Sequence, residues 1–178
     1  MLCDEVYSRG RVPGFDRKLF GKPTPPSAKL RNFSGEHLGK MPDLLLDLVG
    51  RPPVARPSQD WLFIECKPVD SDHAAGSCYC KKGLVRFVNG DYAWVMRQAM
   101  MVGYARQGYT IRPKLSEALE ARRATISTRR LPTQCGHSRA TRFSEPVCIT
   151  EHDRNFPYPG TGTQAPPITV RHLWLRRD

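Results

Sequence analysis

Apolar and polar positions alternate with period two in two neighbouring stretches of the chain. Leu44, Leu46 and Leu48 alternate with Asp43, Leu45, Asp47 and Val49, and Leu62, Ile64 and Cys66 alternate with Trp61, Phe63, Glu65 and Lys67. Successive side chains of a strand leave opposite faces, so the pattern predicts two strands. Gly50, Pro52, Pro53 and Pro57 make the connection a loop. Antiparallel pairing with Val49 opposite Trp61 sets Leu45 opposite Glu65 and Asp43 opposite Lys67. That register gathers Asp43, Asp47, Glu65 and Lys67 on one face. Leu44, Leu46, Leu48, Leu62, Ile64 and Cys66 fall on the other, apolar face, which is the expected core face. A slip of one residue would move Asp43 across the sheet.

Further along, the run DYAWVMRQAMMVGYARQ predicts a helix over 91–107, with a start signal at Asn89, Gly90 and Asp91 and a stop at Gly108. It is apolar nearly all round, which suits a buried helix whose methionines are core filler. Arg97 and Gln98 are its polar exceptions. The preceding stretch, 68–90, reads as a loop, with Asp70, Asp72 and His73 as caps and turns. SEALEARRA at 116–124 predicts a short exposed helix, and 134–143, 146–152 and 168–175 read as strands. The expected organisation is an irregular Gly- and Pro-rich arm over 1–35, a core over 36–124 and a β-rich extension over 125–178.

A length of 178 residues suits one domain with an appendage. The net charge of +11 is uneven. Residues 1–40 hold 8 Lys/Arg against 4 Asp/Glu, residues 41–111 hold 8 against 7, and residues 112–178 hold 12 against 6. A central acidic site with basic flanks suits a phosphodiester substrate, although such a charge also serves solubility. Lys81, Lys82 and Arg86 are candidate phosphate contacts, as are Arg139, Arg154 and Arg171. The six cysteines show no disulfide framework, which predicts free thiols in a reducing compartment. The opening MLCDEVYSRG has no signal-peptide character and no apolar run approaches membrane-spanning length, so a soluble cytoplasmic protein is expected. Cys78-x-Cys80 has an unusual ligand spacing. Cys135-x-His137 with Cys148-x3-His152 has one good spacing and one poor one, so a structural zinc is not expected.

The charged face of the strand pair carries the chemistry. Two carboxylates a few ångströms apart repel unless they share a cation, and hard oxygen ligands suit Mg²⁺ or Mn²⁺. Lys67 lies close enough on the same face to orient a water or offset charge at a transferring phosphate. The bland alternative is a surface ion pair between Asp43 and Lys67 of little energetic weight.

Pro42-Asp43, a gap, then Glu65-Cys66-Lys67 resembles the signature of the PD-(D/E)xK nuclease superfamily, over roughly residues 36–107. The resemblance implies an α/β fold, a restriction-endonuclease-like mixed β-sheet core flanked by helices. It implies Asp43 and Glu65 as ligands of Mg²⁺ or Mn²⁺, with the Cys66 backbone carbonyl, and Lys67 near the attacking water. Members of the RecB and lambda-exonuclease type carry a Gln and a Tyr on the helix after the catalytic strand. Gln98 is similar to the first; Tyr104 is read as core. Glu36 is placed to add a further acid. The implied activity is metal-dependent hydrolysis of phosphodiester bonds in DNA, by endo- or exonucleolytic cleavage. Two alternatives stay open: a non-catalytic nucleic-acid-binding module of the same fold, and a zinc-stabilised interaction protein. No membrane contact is expected; a homodimer or a partner protein is compatible.

Overall fold

In the computed structural model, residues 21, 24–26, 30–35, 38–47, 49, 60–131, 135–136, 147–158 and 160–176 are described. The alternating stretches form β3 (Leu44–Asp47) and β4 (Trp61–Val69), paired antiparallel. Ahead of them β1 (Leu30–Arg31) and β2 (Leu38–Lys40) make a small antiparallel ribbon. Beyond them come β5 (Gln98–Ala105), β6 (Thr128–Arg130), β7 (Cys135–Gly136), β8 (Val147–His152) and β9 (Ile168–Arg176). The main sheet runs β3-β4-β5-β9-β8-β6, with β7 also on β8. β4, β5 and β9 are mutually parallel, and β3 and β8 run antiparallel to their neighbours. The protein is therefore α/β with a mixed sheet.

Between β4 and β5 the chain forms a π-helix, Ala75–Leu84, which continues into α1 (Val85–Val88). Parallel neighbours need such a crossover. After β5 comes α2 (Ile111–Ala121), whose first turn is kinked at Arg112. Tyr79, Leu84 and Phe87 from the crossover and Ile111, Leu115 and Leu119 from α2 form one core with Leu45, Phe63, Ala99, Met101, Val170 and Trp174 of the sheet. By register these strand residues share one face, so the helices cover that face.

This reverses the expected burial of the strand pair. The helix-covered face is the one that carries Glu65 and Lys67. Leu44, Leu46, Leu62 and Cys66 lie on the opposite face and are only half-buried. The register also differs by two residues from the expected one: Leu45 faces Phe63. A two-residue shift preserves the faces, so Asp43 stays with Glu65.

The predicted helix over 91–107 is absent. Residues 98–105 are strand β5, and the helix lies earlier, within the expected loop. A strand between two parallel neighbours is apolar on both sides, and its unbroken run cannot be told from a buried helix by periodicity. The Asn89-Gly90 signal ends a helix instead of starting one. Gly90 sits at φ +69°, and a Cβ there would come within 2.7 Å of the Phe156 ring. α2 starts earlier than expected and is not merely exposed, since it buries Ile111, Leu115, Ala118 and Leu119.

β6, β8 and β9, expected in a C-terminal extension, belong to the main sheet. β9 lies inside the sheet, beside β5, so the last strand completes the core. The expectation of free thiols also fails: Cys148 is disulfide-bonded, while Cys66, Cys78 and Cys80 are free. Spacing along the chain does not report which strands lie side by side. Among the described residues no helix is long and apolar enough to cross a membrane.

Candidate active site

Down the helix-covered face of β4 the side chains read Trp61, Phe63, Glu65, Lys67, Val69. Two charges thus interrupt a core row. Glu65 is 0% exposed, and a buried carboxylate must be paired and hydrogen-bonded. Its Oε1 accepts from Lys67 Nζ and from Arg86 NH1 at 2.8 Å, and its Oε2 accepts from the Tyr92 hydroxyl. Arg86 comes from α1 and Tyr92 from the turn after it. The crossover runs close to β4 at Gly83: a Cβ there would stand 3.3 Å from Lys67 Cγ and 3.6 Å from Glu65 Cγ. Burial works against the Arg86 charge, but the Tyr92 hydrogen bond and the Glu65 charge more than offset it, so its proton is held more tightly than usual. Burial, reinforced by the Glu65 charge, pushes the Tyr92 phenol well up. Tyr92 is therefore a donor at every physiological pH.

Asp43 reaches the site from the end of β3. Its backbone N–H donates to Ile64 O at 3.0 Å, which continues the ladder. Its Oδ2 accepts from Cys66 N–H at 2.6 Å. This pins the carboxylate across the strand pair while leaving it 48% exposed.

Lys67 Nζ contacts Glu65 Oε1, lies 3.0 Å from Cys66 O and 3.8 Å from Asp43 Oδ2. Three oxygens from two strands thus surround one cationic nitrogen. Hard, partly charged oxygens of this kind suit Mg²⁺ or Mn²⁺, which keep several waters. The two carboxylates and the backbone carbonyl expected to hold the metal are brought together and fit such an ion. Among the described residues no group of three or more His, Cys, Asp or Glu side chains is arranged to hold a metal; the set here has only two carboxylates.

Other expected site residues lie elsewhere. Gln98 stands at the start of β5, level with Thr169 of β9, and its Oε1 accepts from Arg171 Nη1 at 2.6 Å. By the β4/β5 register it shares the face of Ile64 and Met100, opposite Glu65. Its predicted place on a helix beside the metal is wrong because that helix is a strand. Tyr104 is on the same far face and is 38% exposed, not core. Arg86 approaches Glu65 and not a solvent-facing phosphate track; Lys81 and Lys82 are exposed on the π-helix. Arg139 and Glu36 lie outside the described residues.

Arg154, expected on a phosphate-binding surface, is buried. Its guanidinium donates to Trp94 O at 2.8 Å, Met96 O at 2.6 Å, Ala93 O at 3.3 Å and Pro166 O at 2.8 Å. Burial lowers its pKa to about 10. It is a clamp on the segment leading into β5. Asp70 fulfils the turn role: its Oδ1 accepts from the backbone N–H of Asp72 and His73 and meets His73 Nδ1 at 2.8 Å. The hydrogen bond from His73 holds its carboxyl below the usual range.

The sequence reading missed Arg86 as a Glu65 partner, Tyr92, and a buried polar chain in the core. In that chain Tyr79 OH lies 3.0 Å from His172 Nδ1, and Thr150 Oγ1 lies 2.7 Å from both His172 Nε2 and His152 Nε2. His152 Nδ1 lies 2.9 Å from Ile126 O. Both His152 nitrogens are thus engaged by hydrogen bonds within the protein. The sequence predicted strands over 146–152 and 168–175, but nothing in the spacing showed the cross-strand contact.

No family model, no curated protein and no solved structure matches this chain.

Proposed function

We propose that this protein is a divalent-metal-dependent nuclease of the PD-(D/E)xK type, with DNA as substrate. The observation that carries the reading is the convergence of Asp43 Oδ2, Glu65 Oε1 and Cys66 O on one cation position, which the Lys67 ammonium occupies. Asp43, Glu65 and the Cys66 carbonyl would hold Mg²⁺ or Mn²⁺. When bound, the ion supplies Lewis-acid polarisation of the scissile phosphate. Arg86 and Tyr92 fix the Glu65 carboxylate in one orientation, so no reorganisation is needed when substrate arrives. Lys67 orients the attacking water and offsets negative charge as it grows on the phosphoryl oxygens. The exposed side of Asp43 is where the phosphate enters. Exposed Lys81 and Lys82 supply charge for the flanking backbone.

One observation favours a second reading. Lys67 and Arg86 already compensate Glu65, so the cluster is satisfied by the chain's own charges. A non-catalytic nucleic-acid-binding module could keep it for stability. The test is cleavage of single- and double-stranded DNA by wild type, Lys67→Ala and Glu65→Ala, with Mg²⁺, with Mn²⁺ and with EDTA. The nuclease reading expects cleavage by wild type that EDTA abolishes and Mn²⁺ restores. Wild type that binds DNA yet cuts under none of these conditions would support the module instead.

A further inference from the structure

Resting on the reading of Asp43 and Glu65 as a cation site, we propose that Lys67 is the site's built-in counter-ion, and that a divalent ion enters only by displacing its ammonium. The position is a competition between a monovalent group of the chain and a divalent ion from solution. Three contacts argue for it. The ammonium is held by the same three oxygens that would coordinate the metal: Glu65 Oε1, Cys66 O and Asp43 Oδ2. It is part-buried, at 16% exposure, so it is a fixed member of the cluster and not a waving surface chain. Glu65 would not be orphaned by its departure, because Arg86 still donates to Oε1 and Tyr92 to Oε2.

The physics forbids sharing. An ammonium and a divalent ion inside one shell of three oxygens would stand within ~4 Å, and their repulsion in a partly buried site is several kcal/mol even at an effective dielectric of ~20. The Lys67 stem passes close to Gly83 of the crossover and the side chain is only 16% exposed. The displaced ammonium therefore swings about its terminal bonds and stays next to the site. Without metal, Lys67 suppresses repulsion between Asp43 and Glu65 and keeps the site assembled. With metal, the same group stands one shell out, where a water or phosphate oxygen lies. Loading thus sets the position of the group that acts on the substrate. Removing the lysine charge should strengthen metal binding while weakening catalysis.

Titration calorimetry with Mn²⁺ on the full chain, without DNA, tests this. Lys67→Gln and Lys67→Met should bind Mn²⁺ at least about tenfold more tightly than wild type, since a like charge has left the ligand shell. Lys67→Arg keeps the charge and should bind no more tightly than wild type. Glu65→Gln should lose Mn²⁺ binding. Thermal melts monitored by circular dichroism establish that each variant is folded; Lys67→Gln, which keeps a donor toward Glu65, carries the test if Lys67→Met does not fold. Wild type and Lys67→Gln binding equally would overturn the displacement while leaving the metal site intact. Lys67→Arg binding as tightly as Lys67→Gln would overturn it too, because charge would not be the cause. Absence of Mn²⁺ binding by wild type and all folded variants would overturn the metal site itself, and the nuclease reading with it.

Discussion

At the scale of single residues, basic side chains do different jobs here, and their surroundings decide which. Lys67 is part-buried among oxygens, so Lys67→Ala should lower the cleavage rate by about 10²-fold or more with little loss of DNA affinity, as removal of a group acting on the transition state requires. Single-turnover cleavage beside an anisotropy titration separates the two quantities. Arg154 is a structural cation, its charge met by four backbone carbonyls. Arg154→Ala should cost about 3 kcal/mol in urea unfolding, because buried acceptors lose their donor. It should leave the salt dependence of DNA binding unchanged. Lys81→Ala with Lys82→Ala should instead flatten that dependence by up to about two in the log–log slope, since each phosphate contact contributes ~0.9. An unaltered slope in the double variant would move the phosphate contacts elsewhere.

At the scale of elements, β3, β4, β8 and β9 were legible because the two faces of each differ in burial or polarity, and period two survives on such a strand. β5 was not, since Ala99, Met101 and Val102 are all buried and a two-sided strand loses its period. The crossover helix was hidden for the opposite reason: AGSCYCKKGL mixes glycines, lysines and cysteines, and its wide π-type turns do not follow the 3.6-residue period. The site was half legible. Asp43, Glu65 and Lys67 lie on two strands whose faces the alternation assigns, but Arg86 and Tyr92 arrive from a segment read as loop and helix start. The misread crossover also makes a prediction. A Cβ at Gly83 would meet Met101 Cε at 2.8 Å, and that methyl is the free end of a flexible chain. Gly83→Ala should thus be nearly neutral, whereas Gly83→Leu should lift the helix from β4, lower the melting temperature and withdraw Arg86 from Glu65. Equal melting temperatures for Gly83→Leu and wild type would mean that this close approach is not needed.

At the scale of the whole molecule, β8, β9 and the crossover are tied by polar atoms deep in an apolar core. Burial lowers the pKa of His152 to about 4 and of His172 to about 3, both below the ~6.5 of a free imidazole. The folded protein therefore keeps both rings neutral while the unfolded chain takes up protons. Stability is full well above pH ~6.5 and falls as pH drops toward 4, on the order of 3 kcal/mol from His152 alone. The melting temperature should decline between pH 6.5 and 5, before most carboxylates titrate, and His152→Gln should flatten that decline; a flat wild-type curve would contradict it. The same chain has a direction. The Ile126 carbonyl can only accept, so His152 must carry its hydrogen on Nδ1 and present a lone pair at Nε2. Thr150 has a single hydrogen, which that lone pair claims, so His172 must donate from Nε2 to Thr150 Oγ1. His172 Nδ1 is then left to accept from the Tyr79 hydroxyl. One carbonyl thus dictates the tautomer of two imidazoles on different strands. Their ¹⁵N resonances should report opposite forms, Nδ1–H for His152 and Nε2–H for His172, frozen and not averaged.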